Sequence, residues 1–322
     1  MSDRPDEFEW IARLLRPLTR GAPEALNLQD DAAVLGAQDD FDMVVTADAV
    51  VEGVHFLSSD PPESVARKLL RVNLSDLAAK ACVPFGYLMT IAWPKDAGWD
   101  RRQRFVRGLD QDQSAFGLAL LGGDTVSTPG PWTLSVTMMG WANRGGMVKR
   151  SGGRPGDLLV VSGTIGDAWL GLRALSGEVA DPQSFLAGRY RLPQPRLGWR
   201  DALIYYGKAS ADVSDGLLAD ARHIAEASGC GLEIELDQMP LSSDAVAWLS
   251  TQEDRAAAHV ALATGGDDYE IVCAIDPADW PAFQAATRDV APTVIGRLTH
   301  DGEIVARYEG RDVTPERLGW SH

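Results

Sequence analysis

The sequence predicts two α/β domains joined by a short polar segment. Strand-like and helix-like apolar periodicities alternate along both halves of the chain. Residues 142–157 are rich in Gly and Arg and poor in apolar side chains, which is typical of a domain boundary. The length of 322 residues suits two mid-sized domains better than one small module. We therefore expect an N-terminal domain over residues 1–148 and a C-terminal domain over residues 149–322.

Apolar spacing predicts three helices and four strands in the first half. The second helix follows Asp60-Pro61-Pro62-Glu63, where Asp60 is the expected N-cap. The predicted helices cover about 6–19, 63–81 and 105–116, and the predicted strands cover 43–46, 87–92, 118–121 and 132–141. This reading places Asp48 and Asp124 at the ends of strands.

The second half repeats the mixture of both element types. The predicted strands cover 158–161, 232–236, 269–275 and 293–298, and the predicted helices cover about 165–176, 216–228, 243–251 and 278–288. Asp212 and Asp215 then lie just before a helix, and Asp267 follows Gly265-Gly266 just before a strand.

Composition excludes several classes of protein. With 45% hydrophobic and 24% charged residues, the chain is an ordinary globular mixture rather than a disordered or fibrous one. Its net charge of −16 disfavours binding to nucleic acid or to anionic membranes, unless bound cations invert the local field. Three cysteines without a CxxC pair fit a reduced compartment, and neither a signal peptide nor a membrane-spanning run is visible. We expect a cytoplasmic protein.

The familiar phosphate-binding motifs are absent from the sequence. It has no Walker A loop, no GxGxxG fingerprint and no protein-kinase signature, and it contains only five lysines. If this protein binds phosphate groups, it must do so with a different kind of site.

Aspartates near the ends of the predicted elements suggest such a site, formed by carboxylates that bind metal ions. The set comprises Asp30, Asp31, Asp48, Asp76, Asp124, Asp212, Asp215, Asp267 and Asp268. Carboxylate oxygens suit Mg²⁺, which shares its remaining coordination positions with water and substrate phosphates. Each aspartate taken singly is equally compatible with a turn or a helix cap, so spacing alone suggests a site without defining one.

Seven segments, in order along nearly the whole chain, resemble the thiamine-monophosphate kinases. They are DDAAVL at 30–35, DAVVEGVHF at 48–56, VNLSDLAA at 72–79, GGDT at 122–125, RSGGRPGD at 150–157, DVSDGL at 212–217 and GGDDYE at 265–270. No single segment is decisive, but seven in the family's order form a specific pattern.

The resemblance implies a reaction and a set of site residues. ATP and thiamine monophosphate would give ADP and thiamine diphosphate with several Mg²⁺ ions, in a homodimer whose N-terminal sheets pair and whose C-terminal domain closes over the active cleft. The implied metal ligands are Asp31, Thr46, Asp48, Asp76, Asp124, Asp212 and Asp215. The implied nucleotide contacts are Gly123, Asp124, Arg150 and Ser214, and the implied thiamine contacts are His55, Asp267 and Trp320. No dedicated general base is expected, because the acceptor phosphate is already ionised at pH 7.

The sequence departs from the family pattern at three places. Asn27-Leu28-Gln29 replaces a glycine-containing loop, Ala47 and Ala49 replace two threonines, and Asp267 replaces a glutamate. These departures leave two alternatives open. The chain could be another ATP-dependent enzyme of the same superfamily, or a catalytically inactive homologue that binds nucleotide or thiamine phosphate.

Overall fold

The computed structural model describes residues 10–28, 35–287 and 289–320, apart from the side chain of Asn27. The chain divides into two compact units. The N-terminal unit comprises Met1–Leu77 and Val83–Gly145, and the C-terminal unit comprises Ala78–Cys82 and Gly146–His322. Both units combine helices with a mixed sheet, as the sequence predicts.

The N-terminal unit is built on a four-stranded sheet and two long helices. Its strands are β1 (Phe41–Val51), β2 (Val83–Pro94), β3 (Ala119–Thr128) and β4 (Thr133–Asn143), and its helices are α1 (Pro62–Ala79) and α2 (Trp99–Phe116). The strand order is β1-β4-β2-β3, with β2 and β3 parallel and the other pairs antiparallel. Short helical segments precede the sheet at Ile11–Leu15, Arg16–Thr19 and Pro23–Leu28.

Alternation along the strands gives this sheet one buried face and one open face. Val136 and Met89 are buried and lie in register, as do Leu134 and Ile91. Helix α1 contributes Leu69 and other fully buried side chains to the same unit. The residues that precede and follow these along each strand point to the opposite face, which contains exposed apolar side chains.

The C-terminal unit is built on a seven-stranded mixed sheet of order β11-β10-β7-β9-β5-β8-β6. Its strands are β5 (Leu158–Val161), β6 (Gly207–Asp212), β7 (Gly231–Glu235), β8 (Ile271–Ile275), β9 (Thr293–Thr299), β10 (Ile304–Tyr308) and β11 (Arg311–Asp312). Its helices are α3 (Asp167–Leu175), α4 (Phe185–Arg191), α5 (Arg200–Tyr206), α6 (Leu217–Ser228), α7 (Ser243–Ser250), α8 (Arg255–Thr264) and α9 (Trp280–Ala286). A large apolar cluster centred on β5, β8 and α6 forms its core.

Several predicted elements need correction. Strands β1 and β3 run past Asp48 and Asp124, so both aspartates lie inside strands rather than at their ends. The predicted helix at 6–19 lies partly outside the described residues; residues 11–19 are helical, but as a π-helical segment followed by a 3₁₀-helical segment rather than as an α-helix. Helix α1 begins at Pro62, while the carboxylate of Asp60 accepts a hydrogen bond from the backbone N–H of Leu57 at 2.9 Å.

Other elements escaped the sequence analysis altogether. These are the short helices α4, α5 and α8 and the strands β6, β10 and β11. The predicted strand at 269–275 begins only at Ile271, because Asp267 and Tyr269 have left-handed φ angles of 65° and 51°.

All three cysteines are free and buried. Burial raises the pKa of Cys82 to about 11, and it also raises the pKa values of Cys230 and Cys273. Among the described residues, no helix combines the length and apolar character needed to cross a bilayer.

Candidate active site

An acidic pair lies in the N-terminal unit where strand β1 meets helix α1. The carboxylates of Asp48 and Asp76 lie close enough to interact directly, and the hydroxyl of Thr46 donates to Asp76 Oδ2. Asn73, one helical turn before Asp76, accepts from the backbone N–H of Asp48 at 3.2 Å and donates to Leu69 O at 2.9 Å. The helix thus fixes the strand beside it and directs Asp76 at the strand's polar side chains.

The electrostatics of this pair favour a bound proton or a bound cation. Burial, and secondarily the charge of Asp76, raises the pKa of Asp48 to about 7. Two carboxylates in contact repel each other unless a positive charge lies between them. Two carboxylates and a hydroxyl form an all-oxygen donor set, which is the set that Mg²⁺ prefers.

His55 is held in a tight turn directly after β1. Its Nδ1 accepts a hydrogen bond from the backbone N–H of Val51 at 3.1 Å, so in the neutral ring the proton is on Nε2. Its backbone carbonyl accepts from the ammonium group of Lys68 on α1 at 2.9 Å. The adjacent Phe56 packs against Trp132, with ring centroids 5.6 Å apart. These contacts fix the turn and leave Nε2 as the ring donor.

Gly123 and Asp124 lie on β3, at the other edge of the same sheet. The register places Gly123 and Asp48 in the same cross-strand row, which also contains Met89 and Val136. Asp124 belongs to the neighbouring row, with Thr90, Ser135 and Ala49. Successive rows point to opposite faces. Asp124 is therefore exposed on the open face, three strand spacings (about 14 Å) away from β1.

In the C-terminal unit, the loop of residues 213–216 between β6 and α6 connects several predicted site residues. Ser214 O accepts the backbone N–H of Asp267, and Asp215 O accepts the backbone N–H of Trp320, both at 2.8 Å. Asp212 ends β6 and is buried. The indole of Trp320 is 60% exposed. Residues from three distant parts of the chain thus meet at one loop.

Close packing explains the glycines around this loop. A Cβ on Gly266 would lie 2.6 Å from Ser214 O, and a Cβ on Gly319 would lie 2.5 Å from Asp215 O. Gly266 also has a φ of +74°, which favours glycine. A side chain at either position would push the meeting segments apart.

Asp220 and His223 on α6 lie beside this loop, and neither residue was among the predicted site residues. Asp215, Asp220 and His223 each offer one ligand atom, and these atoms lie within 4.8 Å of one another, so the three could hold a metal ion. Burial and then the charge of Asp215 raise the pKa of Asp220 to about 7. Burial, followed by the charges of Arg150 and Arg222, lowers the pKa of His223, which places the exposed Arg150 near this group.

A buried ionic network supports the segment that carries Asp267. Glu270 is fully buried and accepts hydrogen bonds from Arg189 at 2.7 Å, from Arg196 at 2.6 Å and from the hydroxyl of Ser162 at 2.5 Å. Asp268 accepts the backbone N–H of Gly166 at 2.8 Å, and burial raises its pKa to about 8. These residues hold the loop rather than face a ligand.

The structure thus forms one group of predicted site residues in each unit. The first comprises Thr46, Asp48 and Asp76, and the second comprises Ser214, Asp215, Asp267 and Trp320, with Arg150 and Asp212 near it. Asp124 does not join the first group within the chain. Asp30 and Asp31 lie outside the described residues. Asn73 belongs to the VNLSDLAA segment at 72–79, but no role was predicted for it. Asp220 and His223 belong to none of the seven segments, and only their helical spacing from Gly216 could have indicated them.

Comparison with known protein families identifies the class. Residues 29–142 match the AIR synthase related protein N-terminal domain, and residues 154–309 match the AIR synthase related protein C-terminal domain. The protein is therefore a two-domain member of the AIR synthase-related class.

Individual relatives narrow this class to one family. A thiamine-monophosphate kinase of Caulobacter vibrioides is 54% identical over 320 residues, covering 99% of this chain and 91% of the relative. The crystal structure of a thiamine-monophosphate kinase from Stenotrophomonas maltophilia K279a superposes with a TM-score of 0.81 at 33% identity, covering 92% of this chain and 95% of that one. A solved complex named AaThiL with AMPPCP and TMP has a TM-score of 0.77 at 30% identity, covering 86% of each chain. The chain belongs to the thiamine-monophosphate kinase family.

Proposed function

We propose that this protein transfers the γ-phosphoryl group of ATP to the phosphate of thiamine monophosphate, which gives ADP and thiamine diphosphate. The observation that carries this proposal is the 54% identity, over 99% of the chain, to a thiamine-monophosphate kinase. A relative with 30% identity has been solved with AMPPCP and TMP, which supports ATP as the phosphoryl donor. A phosphate oxygen of the acceptor attacks the γ-phosphorus, the bond to the β-phosphate oxygen breaks, and ADP leaves.

Mg²⁺ is the cofactor that best fits the acidic pair of the N-terminal unit. Thr46, Asp48 and Asp76 would hold it, because their oxygens already converge and the two carboxylates need a positive charge between them at neutral pH. When bound, Mg²⁺ neutralises phosphate charge and so takes the place of a lysine-rich loop. Asp124, Asp212 and Asp215 are proposed as further ligands, and Asp31 completes the proposed set.

The remaining proposed contacts recognise the two organic substrates. Arg150 presents a fixed guanidinium fork that suits a nucleotide phosphate, and Ser214 and Gly123 are the other proposed nucleotide contacts. The exposed indole of Trp320 offers an aromatic face to the cationic thiazolium ring. His55, through Nε2, and Asp267 are the other proposed thiamine contacts.

Turnover tests this proposal directly. The purified protein is incubated with ATP, MgCl₂ and thiamine monophosphate, and ADP and thiamine diphosphate are quantified by chromatography. We expect equal amounts of both products, and we expect Asp48→Asn and Asp76→Asn to reduce kcat/KM by at least about 100-fold, since each removes charge from the proposed metal site. Asp110→Asn, an exposed change on α2, serves as the matched control.

Two outcomes would contradict this assignment. Binding of both substrates without any product would indicate the inactive homologue, which the alanines at 47 and 49 and the aspartate at 267 motivate. Formation of ADP independent of thiamine monophosphate would indicate another ATP-dependent activity of the superfamily.

The open face of the N-terminal sheet supports a proposed homodimer. Val45 on β1, Leu88 on β2 and Val126 on β3 are 56%, 38% and 47% exposed, and they form apolar positions on three strands of that sheet. A second copy of the sheet would cover them. We further propose that the C-terminal domain closes over the active cleft, as the family resemblance implies. Light scattering tests the dimer: Val45→Glu with Val126→Glu should give monomers, and a wild-type monomer would refute the assembly.

A further inference from the structure

Asp220 is a buried carboxylate for which neither the proposed phosphoryl transfer nor the proposed metal ligand set provides a role. It lies in the first turn of α6 and is 1% exposed. Burying a carboxylate is unfavourable unless its oxygens receive hydrogen bonds. The partners of Asp220 therefore indicate why the fold keeps it there.

One oxygen of Asp220 holds three consecutive backbone groups. Oδ2 accepts the N–H of Ser214 at 3.0 Å, the N–H of Asp215 at 3.1 Å and the N–H of Gly216 at 3.2 Å. These groups precede the helix, and the partial positive charge at a helix N-terminus adds to the attraction. Because Oδ2 is already engaged by three donors, the carboxylate holds the backbone rather than offering this oxygen to a ligand.

Two of these three residues carry the contacts that organise the candidate site of the C-terminal unit. Ser214 O accepts the N–H of Asp267, and Asp215 O accepts the N–H of Trp320, both at 2.8 Å. A shift of the loop would therefore move a proposed nucleotide contact, Ser214, together with two of the three proposed thiamine contacts, Asp267 and Trp320.

We propose that Asp220 is a positioning residue for the reaction: its carboxylate fixes the loop of residues 213–216 so that Ser214, Asp215, Asp267 and Trp320 are held together for both substrates. This inference rests on the proposed function. Asp220 touches neither substrate, and it acts only through the backbone that it binds. Its loss therefore weakens the binding of two chemically different ligands, ATP and thiamine monophosphate.

The test compares two substitutions of Asp220 with one control. Asp220→Ala removes the acceptor, whereas Asp220→Asn keeps one oxygen at the same position. Asp254→Ala is the matched control, because Asp254 lies in the same unit, outside the loop, and caps α8 by accepting the N–H of Ala257 at 3.0 Å. The measurements are kcat, KM for each substrate and the folded fraction by circular dichroism, all well below the thermal midpoint.

Positioning predicts a specific kinetic pattern. Per folded molecule, Asp220→Ala should raise KM for ATP and for thiamine monophosphate and reduce kcat/KM by about 100-fold, the scale of a 1 Å misplacement. Asp220→Asn should recover at least tenfold of that loss, and Asp254→Ala should match the wild type. If Asp220→Ala lowers only the thermal midpoint and keeps both KM values, Asp220 is merely structural and the inference is overturned.

A binding experiment separates this inference from the proposed function. Calorimetric titration of wild type and Asp220→Ala with Mg²⁺ and AMPPCP, and separately with thiamine monophosphate, requires no turnover. Weaker binding of both ligands to the folded variant supports the positioning role even if the wild type forms no thiamine diphosphate. Unchanged affinity for both ligands overturns the positioning role even if the wild type is an active kinase.

Discussion

Replacing Gly123 by alanine tests the close approach of β2 and β3 at the edge of the N-terminal sheet. Gly123 pairs with Met89 in register and has a φ of +153°, a conformation that side chains rarely adopt. A Cβ at this position would lie 1.9 Å from the carbonyl oxygen of Met89. This oxygen belongs to the backbone of β2, which is paired on both sides, so it has little freedom to move away from the added Cβ.

The size of the effect follows from this geometry. Ordinary contact begins at 3.4 Å, so the strands would have to separate by 3.4 minus 1.9, or about 1.5 Å, which would weaken the hydrogen bonds between them. Overpacking of this kind costs about 1–3 kcal/mol, and the unfavourable φ adds about 1–3 kcal/mol. We expect Gly123→Ala to lower the free energy of unfolding of the N-terminal unit by about 2–6 kcal/mol.

The neighbouring glycine provides a matched control. A Cβ on Gly122 would meet only the flexible end of the Leu88 side chain, at 3.3 Å, and Gly122 has no positive φ. Urea unfolding at 25 °C should therefore place Gly122→Ala within about 1 kcal/mol of the wild type. A free energy of unfolding for Gly123→Ala within 0.5 kcal/mol (roughly the precision of such comparisons) of that for Gly122→Ala would refute the reasoning.

Two further predictions concern buried carboxylates. Asp112 is fully buried, and its carboxylate forms an ion pair with the guanidinium of Arg71 at 2.6 Å. Asp112→Ala should therefore lower the free energy of unfolding, measured by urea titration, by about 3–5 kcal/mol, whereas the exposed Asp110→Ala should lower it by less than about 1 kcal/mol. Equal losses in the two variants would contradict this. The pKa of Asp268 is raised to about 8 by burial, so between about pH 4 and pH 8 the unfolded chain releases a proton that the folded chain keeps. The contribution of Asp268 to the free energy of unfolding is thus most favourable at low pH and is lost as the pH rises through about 8. Asp268→Asn should therefore flatten the fall of the free energy of unfolding with pH over this range. An identical slope of free energy against pH in the wild type and the variant would contradict this.

Apolar periodicity was sufficient to predict the two-domain α/β class and most of the long elements. Helix α1 and strands β2 and β4 carry strong, regular patterns, and the structure contains all three. The elements that were missed are short or lack a clear pattern. Strand β6 reads GKASAD, whose small residues become buried only because β8 lies beside it.

The candidate site was predictable where one element carries several of its residues. Asn73 and Asp76 are one turn apart on a predicted helix and so share one face, and the structure places that face beside Asp48. The position of Asp124 was harder to foresee, because moving one residue along a strand reverses the face to which a side chain points. Register depends on tertiary pairing, and so does the role of Asp220, whose three partners all belong to a loop without periodic structure.

The buried, protonated thiols make the protein its own unfolding reporter. Thiolate is the form that alkylating reagents attack, and all three native sulfurs are both shielded from solvent and held as thiols by their raised pKa values. Iodoacetamide should therefore modify the chain only in proportion to transient opening. Because Cys82, Cys230 and Cys273 all belong to the C-terminal unit, the rate of mass gain would measure the local opening of that unit without any engineered label.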